Sequence, residues 1–228
     1  MLSVCVSPAF MAGMLVFYLS SILGLRKWIQ NRPACNLKNM MQVYNLSQVG
    51  FNAYIVYGLL DLPKLHNIFG INSSYSSTLE HFVYLHYLSK YLDFLDTFFI
   101  ILRKKEGQLS FLHVYHHATI GMIWGGLLYV RHGNGTAAFG CLINSVIHTI
   151  MYSHYFWTAM GYKNPYKKLI TQAQLAQFYL CILHSVCVLM YETVYPPKIA
   201  WVQYIYHIQM IVLFMNFYSK SYNKSISA

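Results

Sequence analysis

Apolar positions in this chain are grouped on the scale of whole helices. Long apolar runs cover residues 4–24, 40–60, 81–102, 108–130, 136–157, 168–190 and 200–217, with short polar connections between them. A helix that crosses a bilayer needs about 20 mostly apolar residues. The pattern therefore predicts an all-α, polytopic membrane protein with seven transmembrane helices, residues 1–228 forming a single transmembrane domain. No connection is long enough for a separate soluble domain. The first run lacks a basic leader and is too long for a signal peptide.

Polar residues inside the runs change the picture from anchor to site, because ionisable groups in a membrane are costly and usually functional. In the third run, KYLDFLDTFFI, Lys90, Asp93 and Thr97 share a helix face at spacings of three and four, and Asp96 extends the acidic strip. These charges read as an ion pair joining helices or as the lining of a reaction chamber. A late-starting span would instead leave Lys90 snorkelling at an interface.

The fourth run carries Gln108, His113, His116 and His117, the histidines at i, i+3 and i+4 on one face. In the fifth, Asn144, His148 and Tyr152 repeat at i+4 beside Met151 and Tyr155, while His154 falls off the stripe toward the helix end. The sixth repeats the theme with Thr171, Gln174, Gln177, Cys181 and His184. Isolated His66, His81, His86, His132 and His207 are read as packing residues. Lipid cannot satisfy polar stripes, so they must face one another around a polar cavity.

Composition agrees. The chain is 57% hydrophobic and 10% charged, whereas a soluble domain carries roughly 25% charged residues. In a soluble protein the net charge of +10 would point to nucleic acid. Here the basic residues cluster between apolar runs, so no nucleic-acid partner is expected; the partner is membrane lipid. Arg26, Lys27, Arg32, Lys38, Arg103, Lys104, Lys105, Lys163, Lys167, Lys168, Lys220 and Lys224 fall on alternate connections. The opposite connections hold Lys64, Arg131 and Lys198. The positive-inside rule then places the carboxyl terminus in the cytoplasm and the amino terminus outside or in the lumen. Such loops would also attract an anionic substrate.

Of the sequons, Asn72-Ser73-Ser74 lies in the longest lumenal loop and is the candidate for glycosylation. Asn134-Gly135-Thr136 lies too close to the membrane, and Asn45-Leu46-Ser47 and Asn223-Lys224-Ser225 fall on the cytoplasmic side. Cys5, Cys35, Cys141, Cys181 and Cys187 form no C-x-x-C or zinc spacing.

Two chemistries suit the histidines. The H-x-x-H-H box is of the sort found in membrane di-iron desaturases and hydroxylases, although companion boxes are missing; the other metal reading is one zinc held by His113, His116, His117 and His148. One helical turn is an awkward template for that, because adjacent His116 and His117 diverge by roughly 100°. The other chemistry is covalent or acid–base, with a neutral buried imidazole offering one nitrogen as nucleophile or base. A transporter using the stripes as a pathway is a third reading.

The segments KYLDFLDT (90–97), QLSFLHVYHH (108–117), NSVIHTIMYSHYF (144–156) and TQAQLAQ (171–177) resemble, in order and spacing, the ELO family of very-long-chain fatty acid elongases. NRPACNLKNMMQVYN and LFMNFYSKSY resemble its flanking segments. The resemblance implies seven helices, six of them enclosing an acyl tunnel, in the endoplasmic reticulum membrane. It implies condensation of a long-chain acyl-CoA with malonyl-CoA to a 3-oxoacyl-CoA, with loss of CO2 and CoA and without a metal or other cofactor. His116 matches the nucleophile of an acyl-imidazole mechanism, and His148 the second histidine at the reacting centre. His113 and His117 would orient and polarise. Gln108, Asn144, Tyr152, Gln174 and the Lys90–Asp93–Asp96 cluster would support the site or contact the thioester end of CoA. A homodimer and the other enzymes of the elongation cycle are the expected protein partners.

Departures are few. Asp93 stands where the family usually has Glu, and His154 where it commonly has Tyr. The amino-terminal lead is short, and the terminal NKSISA has no dilysine signal. Tyr115 within the box resembles the subgroup acting on polyunsaturated chains.

Overall fold

The computed structural model describes residues 2–61 and 67–222, and they form nine α-helices and one 3₁₀ turn. They are α1 (Leu2–Cys5), α2 (Pro8–Ile29), α3 (Lys38–Leu60), α4 (Ser77–Leu92), α5 (Phe94–Leu102), α6 (Phe111–Tyr129), α7 (Ala137–Ala159), α8 (Lys167–Tyr191) and α9 (Lys198–Tyr222). Glu106–Gln108 forms the 3₁₀ turn. No strand occurs among the described residues. Lys64, His66, Lys224 and the Asn223 sequon lie outside them.

Local chemistry starts the helices where the apolar pattern alone does not. Ser7 accepts from the Phe10 amide and Pro8 follows at the first helical position, so α2 begins several residues into the first apolar run, after the short α1. Ser76 and Ser110 cap α4 and α6 in the same way, accepting from the amides of Leu79 and His113 at 3.3 and 3.2 Å. The third run is not one helix. A single turn residue, Asp93 (φ −62°, ψ −14°), separates α4 from α5.

Counting α4 with α5, the described residues form seven long helical segments, the six unbroken ones of 19 to 25 residues. At 1.5 Å per residue these measure about 28–38 Å, comparable with a bilayer core. By length and composition alone, α2 and α8 qualify as membrane spans among the described residues. The other long helices are diluted by polar residues such as Asn45, Gln48, Asn52 and His148, and those are buried. Apolar side chains including Leu23, Val43, Leu183 and Val212 point outward instead, each more than 60% exposed. This inside-out distribution suits lipid surroundings better than water.

Connections alternate between two ends. At one, Arg26 pairs with Glu106, Lys104 Nζ donates to the Gln30 carbonyl at 3.2 Å, and the Cys35 amide donates to Leu102 at 2.9 Å. Gln42 Nε2 reaches the Ala159 carbonyl at 3.1 Å, joining the start of α3 to the end of α7. At the other end Asn134 exchanges bonds of 2.7 and 3.0 Å with the Ser76 backbone, and Asn72 binds Tyr191 and Thr193. The basic connections thus gather at one end of the bundle.

The main core joins α3, α4, α6, α7, α8 and α9 around Ile55, Tyr87, Trp124, Cys141, Phe178 and Met210. A smaller cluster, Tyr18, Ile22, Phe94 and Ile101, fastens α2 against α5. α3 and α4 approach closely at Gly58, where a β-carbon would meet the Phe82 ring at 1.9 Å.

Candidate functional site

Asp93 is the hub of a buried polar cluster. Its Oδ1 accepts from Gln48 Nε2 at 2.8 Å and from the Tyr152 hydroxyl at 3.0 Å. Its Oδ2 lies 3.9 Å from Lys90 Nζ and 3.9 Å from His148 Nδ1. Lys90 donates to Asn144 Oδ1 at 2.8 Å. Lys90 and Asp93 are 1% and 2% exposed, which excludes a snorkelling lysine. Asp96 accepts from Tyr152 at 2.6 Å and from Tyr44 at 3.1 Å, so one tyrosine proton lies between two carboxylates. A buried pair survives when further hydrogen bonds satisfy its remaining lone pairs, as happens here.

The three histidines of the box do not share one environment. His113 Nε2 lies 2.8 Å from the Thr97 hydroxyl, itself 2.8 Å from Tyr18. The His113 and His117 rings pair at 4.3 Å, and His117 Nδ1 is buried without a hydrogen-bond partner. His116 turns toward α9, its Nδ1 3.4 Å from the Tyr206 hydroxyl. His148 lies within electrostatic reach of both His116 and His117. Among the described residues no three His, Cys, Asp or Glu side chains converge as metal ligands.

A narrow cavity of about 60 Å³ lies between α6, α7, α8 and α9. His116 and Asn144 border one part, and Leu127, Thr136 and Ile199 mark its extent toward the opposite end of the helices. Between them the wall is mainly Ile120, Ile123, Trp124, Phe178 and Val202, with Gln177 and Gln203 as polar exceptions. Eleven residues along α6 separate His116 from Leu127, about 16 Å at helical rise.

The structure moves several expected site residues. Gln108 is not on the fourth helix but on the exposed 3₁₀ turn before it, because Ser110 rather than the start of the apolar run initiates α6. Gln174 is half-buried and donates to Met151 Sδ at 3.3 Å, with no bond to a box histidine. His154 borders a separate open groove with Trp157 and Tyr166. His207, read from sequence as packing, lines the cavity. His86 does pack, with Nδ1 3.0 Å from Ser145 and its ring edge-on to Trp124.

Sequence reasoning missed Gln48, Tyr44, Tyr18 and Tyr206. For Gln48 the signal existed: Asn45, Gln48 and Asn52 repeat at three and four along α3, and all are buried. For the tyrosines there was none, since they are dispersed among 21. Of the sequons, Asn45 and Asn134 are buried, and Asn72 is exposed.

A helical bundle with an apolar exterior, buried charges and an imidazole bordering an apolar-walled cavity fits a membrane protein with an internal site. Comparison with known proteins makes this specific. Residues 3–228 match the ELO, or GNS1/SUR4, family. Fatty acid elongase 5 of Trypanosoma cruzi (strain CL Brener) is 42% identical over 223 residues, 98% of this chain and 88% of that protein. Fatty acid elongase 5 of Leishmania major is 44% identical over 223 residues, 98% and 89% of the two chains. Very long chain fatty acid elongase 5 of Mus musculus is 36% identical over 227 residues, 95% and 75%. The chain belongs to the ELO family and is an enzyme of fatty acid elongation.

Proposed function

We propose that this elongase catalyses the condensing step, joining a long-chain acyl-CoA to malonyl-CoA through an acyl-imidazole on His116. The observation that carries the reading is the place of His116, bordering an elongated apolar cavity beside the Lys90–Asp93–His148 cluster. In the first half-reaction His116 attacks the thioester carbonyl. The C–S bond breaks, and the leaving thiolate takes up the proton that the acylated ring sheds, leaving as CoA. In the second half-reaction malonyl-CoA loses CO2, its α-carbon attacks the acyl carbonyl, and the C–N bond to His116 breaks, the departing ring taking up one proton from water to restore the neutral imidazole. The product is a 3-oxoacyl-CoA two carbons longer.

The surroundings fit each requirement. Every methylene taken into the cavity stabilises binding by about 0.8 kcal/mol. Dry walls protect the acyl-imidazole from hydrolysis. His148, steadied by Asp93, handles malonyl-CoA in the second half-reaction, and His113 and His117 orient the box. Lys90, Asn144, Tyr152 and Asp96 hold these groups in register, with Gln174 as outer support.

The same reading extends to the whole molecule. Its seven passes are transmembrane helices of one domain in the endoplasmic reticulum membrane, six of them joined by the main core around the four-helix wall, α6 to α9, of the acyl cavity. The basic end and the carboxyl terminus face the cytoplasm, where CoA phosphates meet Arg and Lys. The enzyme works as a homodimer and alongside the other enzymes of the cycle. A polyunsaturated substrate rests on Tyr115. Its hydroxyl donates to Gln209 at 2.9 Å and it does not border the cavity, so its influence runs through the spacing of α6 and α9.

The test is an elongation assay with purified protein, labelled malonyl-CoA and acyl-CoAs of graded unsaturation. The expected product is labelled 3-oxoacyl-CoA, favouring polyunsaturated acyl chains and lost in H116A. Full turnover by H116A would contradict the reading.

A further inference from the structure

Three hydrogen bonds connect His116 to the backbone of its own helix through α9. His116 Nδ1 lies 3.4 Å from Tyr206 Oη, which lies 3.1 Å from Thr119 Oγ1, which donates to the Tyr115 carbonyl at 2.8 Å. Tyr206 is buried, and Tyr206 and His116 both border the cavity.

The direction of this chain follows from counting protons. A carbonyl oxygen only accepts, so the single Thr119 proton is committed to Tyr115. Thr119 Oγ1 then has lone pairs alone to offer Tyr206, which must donate to it. With its proton committed, Tyr206 Oη meets His116 Nδ1 only as an acceptor, and that nitrogen must carry the proton. All three bonds form together in this one arrangement. A histidine tautomer is assigned from such a network.

We propose that Thr119 and Tyr206 are positioning residues that hold His116 as the Nδ1–H tautomer, leaving the Nε2 lone pair as the nucleophile. This rests on the reading of His116 as the acylated residue and adds which nitrogen reacts and what selects it. Tyr206 comes from α9 and His116 from α6, so the seating of α9 governs the reactive state of the box. The other box histidines face Thr97 and Tyr18 and have no part in the relay. Lys90 is a charged group within electrostatic reach of His116, and His113, His117, His148, His207 and Tyr206 are titratable groups there.

The experiment combines single-turnover acylation with histidine ¹⁵N spectra of the full-length enzyme in lipid nanodiscs, with the His116 resonances assigned by comparison with H116A. CoA release from a long-chain acyl-CoA is followed in the absence of malonyl-CoA. Y206F and T119V are expected to slow it by about 10–100-fold, by analogy with the loss of an outer group that orients a metal-binding imidazole. T119S restores the rate lost in T119V. The double variant Y206F/T119V is no slower than Y206F, because residues acting through one chain are not additive. The spectra should show a protonated Nδ1 and an unprotonated Nε2 at His116, with that pattern lost in Y206F.

An Nε2-protonated His116, unchanged acylation in folded Y206F and T119V, or fully multiplicative losses would each overturn the relay. If Y206F proves misfolded, T119V and T119S, which keep the ring, decide the matter alone. Undiminished CoA release by H116A would mark failure of the nucleophile reading instead. Loss in H116A without loss in the relay variants would mark failure of the relay alone.

Discussion

Lys90 Nζ and Asp93 Oδ2 face each other at 3.9 Å, nearly sealed from solvent, one helical turn apart across the end of α4. The separation is long for a direct bond, and both partners take closer ones: Lys90 to Asn144, Asp93 to Gln48 and Tyr152. The pair therefore serves as a junction between α3, α4 and α7. Removing one charge leaves the other buried without compensation, at a cost of about 3–5 kcal/mol. K90M and D93N should each lower the unfolding midpoint in detergent sharply. K90M/D93N should be less damaging than the sum of the two, which a double-mutant cycle measures.

Tyr152 bridges both carboxylates from α7. Y152F removes the hydroxyl while keeping the ring, and should destabilise the protein by about 1–3 kcal/mol, since buried acceptors lose a donor. Elongation should fall through His148, one turn away and facing the same Asp93. Thermal unfolding and the rate with saturating malonyl-CoA check the two effects separately.

Gln108 offers the opposite expectation. On its exposed turn it meets no box residue, so Q108A should leave kcat and KM within error of the parent enzyme. A large loss of kcat in Q108A would show that the turn closes over the site during turnover.

Chain-length preference should respond to the cavity wall. Cys181 on α8 is 1% exposed and borders the cavity, whose wall also includes Trp124 on α6 and Phe178 one turn earlier on α8. C181F adds bulk that the longest acyl chains must displace, and each excluded methylene forfeits about 0.8 kcal/mol of binding. The product profile, read by mass spectrometry, should shift to shorter chains while short substrates keep their rates.

The packing of α3 on α4 gives a prediction independent of chemistry. At Gly58 a β-carbon has no room against Phe82, so G58A should cost about 1–3 kcal/mol from overpacking. F82L in the same chain should recover part of the loss in an unfolding assay.

The helical passes were legible because apolar runs of bilayer length leave little freedom of interpretation. Their starts were not, since Ser7-Pro8 and Ser110 act through single hydrogen bonds that hydropathy averages away. The polar stripes on α6, α7 and α8 could be read as facing a cavity, but helical spacing does not say how one turn of histidines divides between neighbours. His113 and His117 turn to Thr97 and Tyr18, while His116 turns to Tyr206, and the difference depends on which helices flank α6. Gln48 went unread although its spacing was available. Tyr206 lay beyond reach, because nothing in the spacing singles it out from the other tyrosines of α9, Tyr204, Tyr218 and Tyr222.

The central claim is that His116 carries the acyl chain between the two half-reactions. The direct measurement is mass spectrometry of the enzyme after exposure to a long-chain acyl-CoA, before malonyl-CoA is supplied. The account predicts a mass increase equal to one acyl group, localised by fragmentation to His116, absent in H116A, and discharged into 3-oxoacyl-CoA when malonyl-CoA is added. An acyl group on another residue, or none in a preparation that elongates, would contradict it.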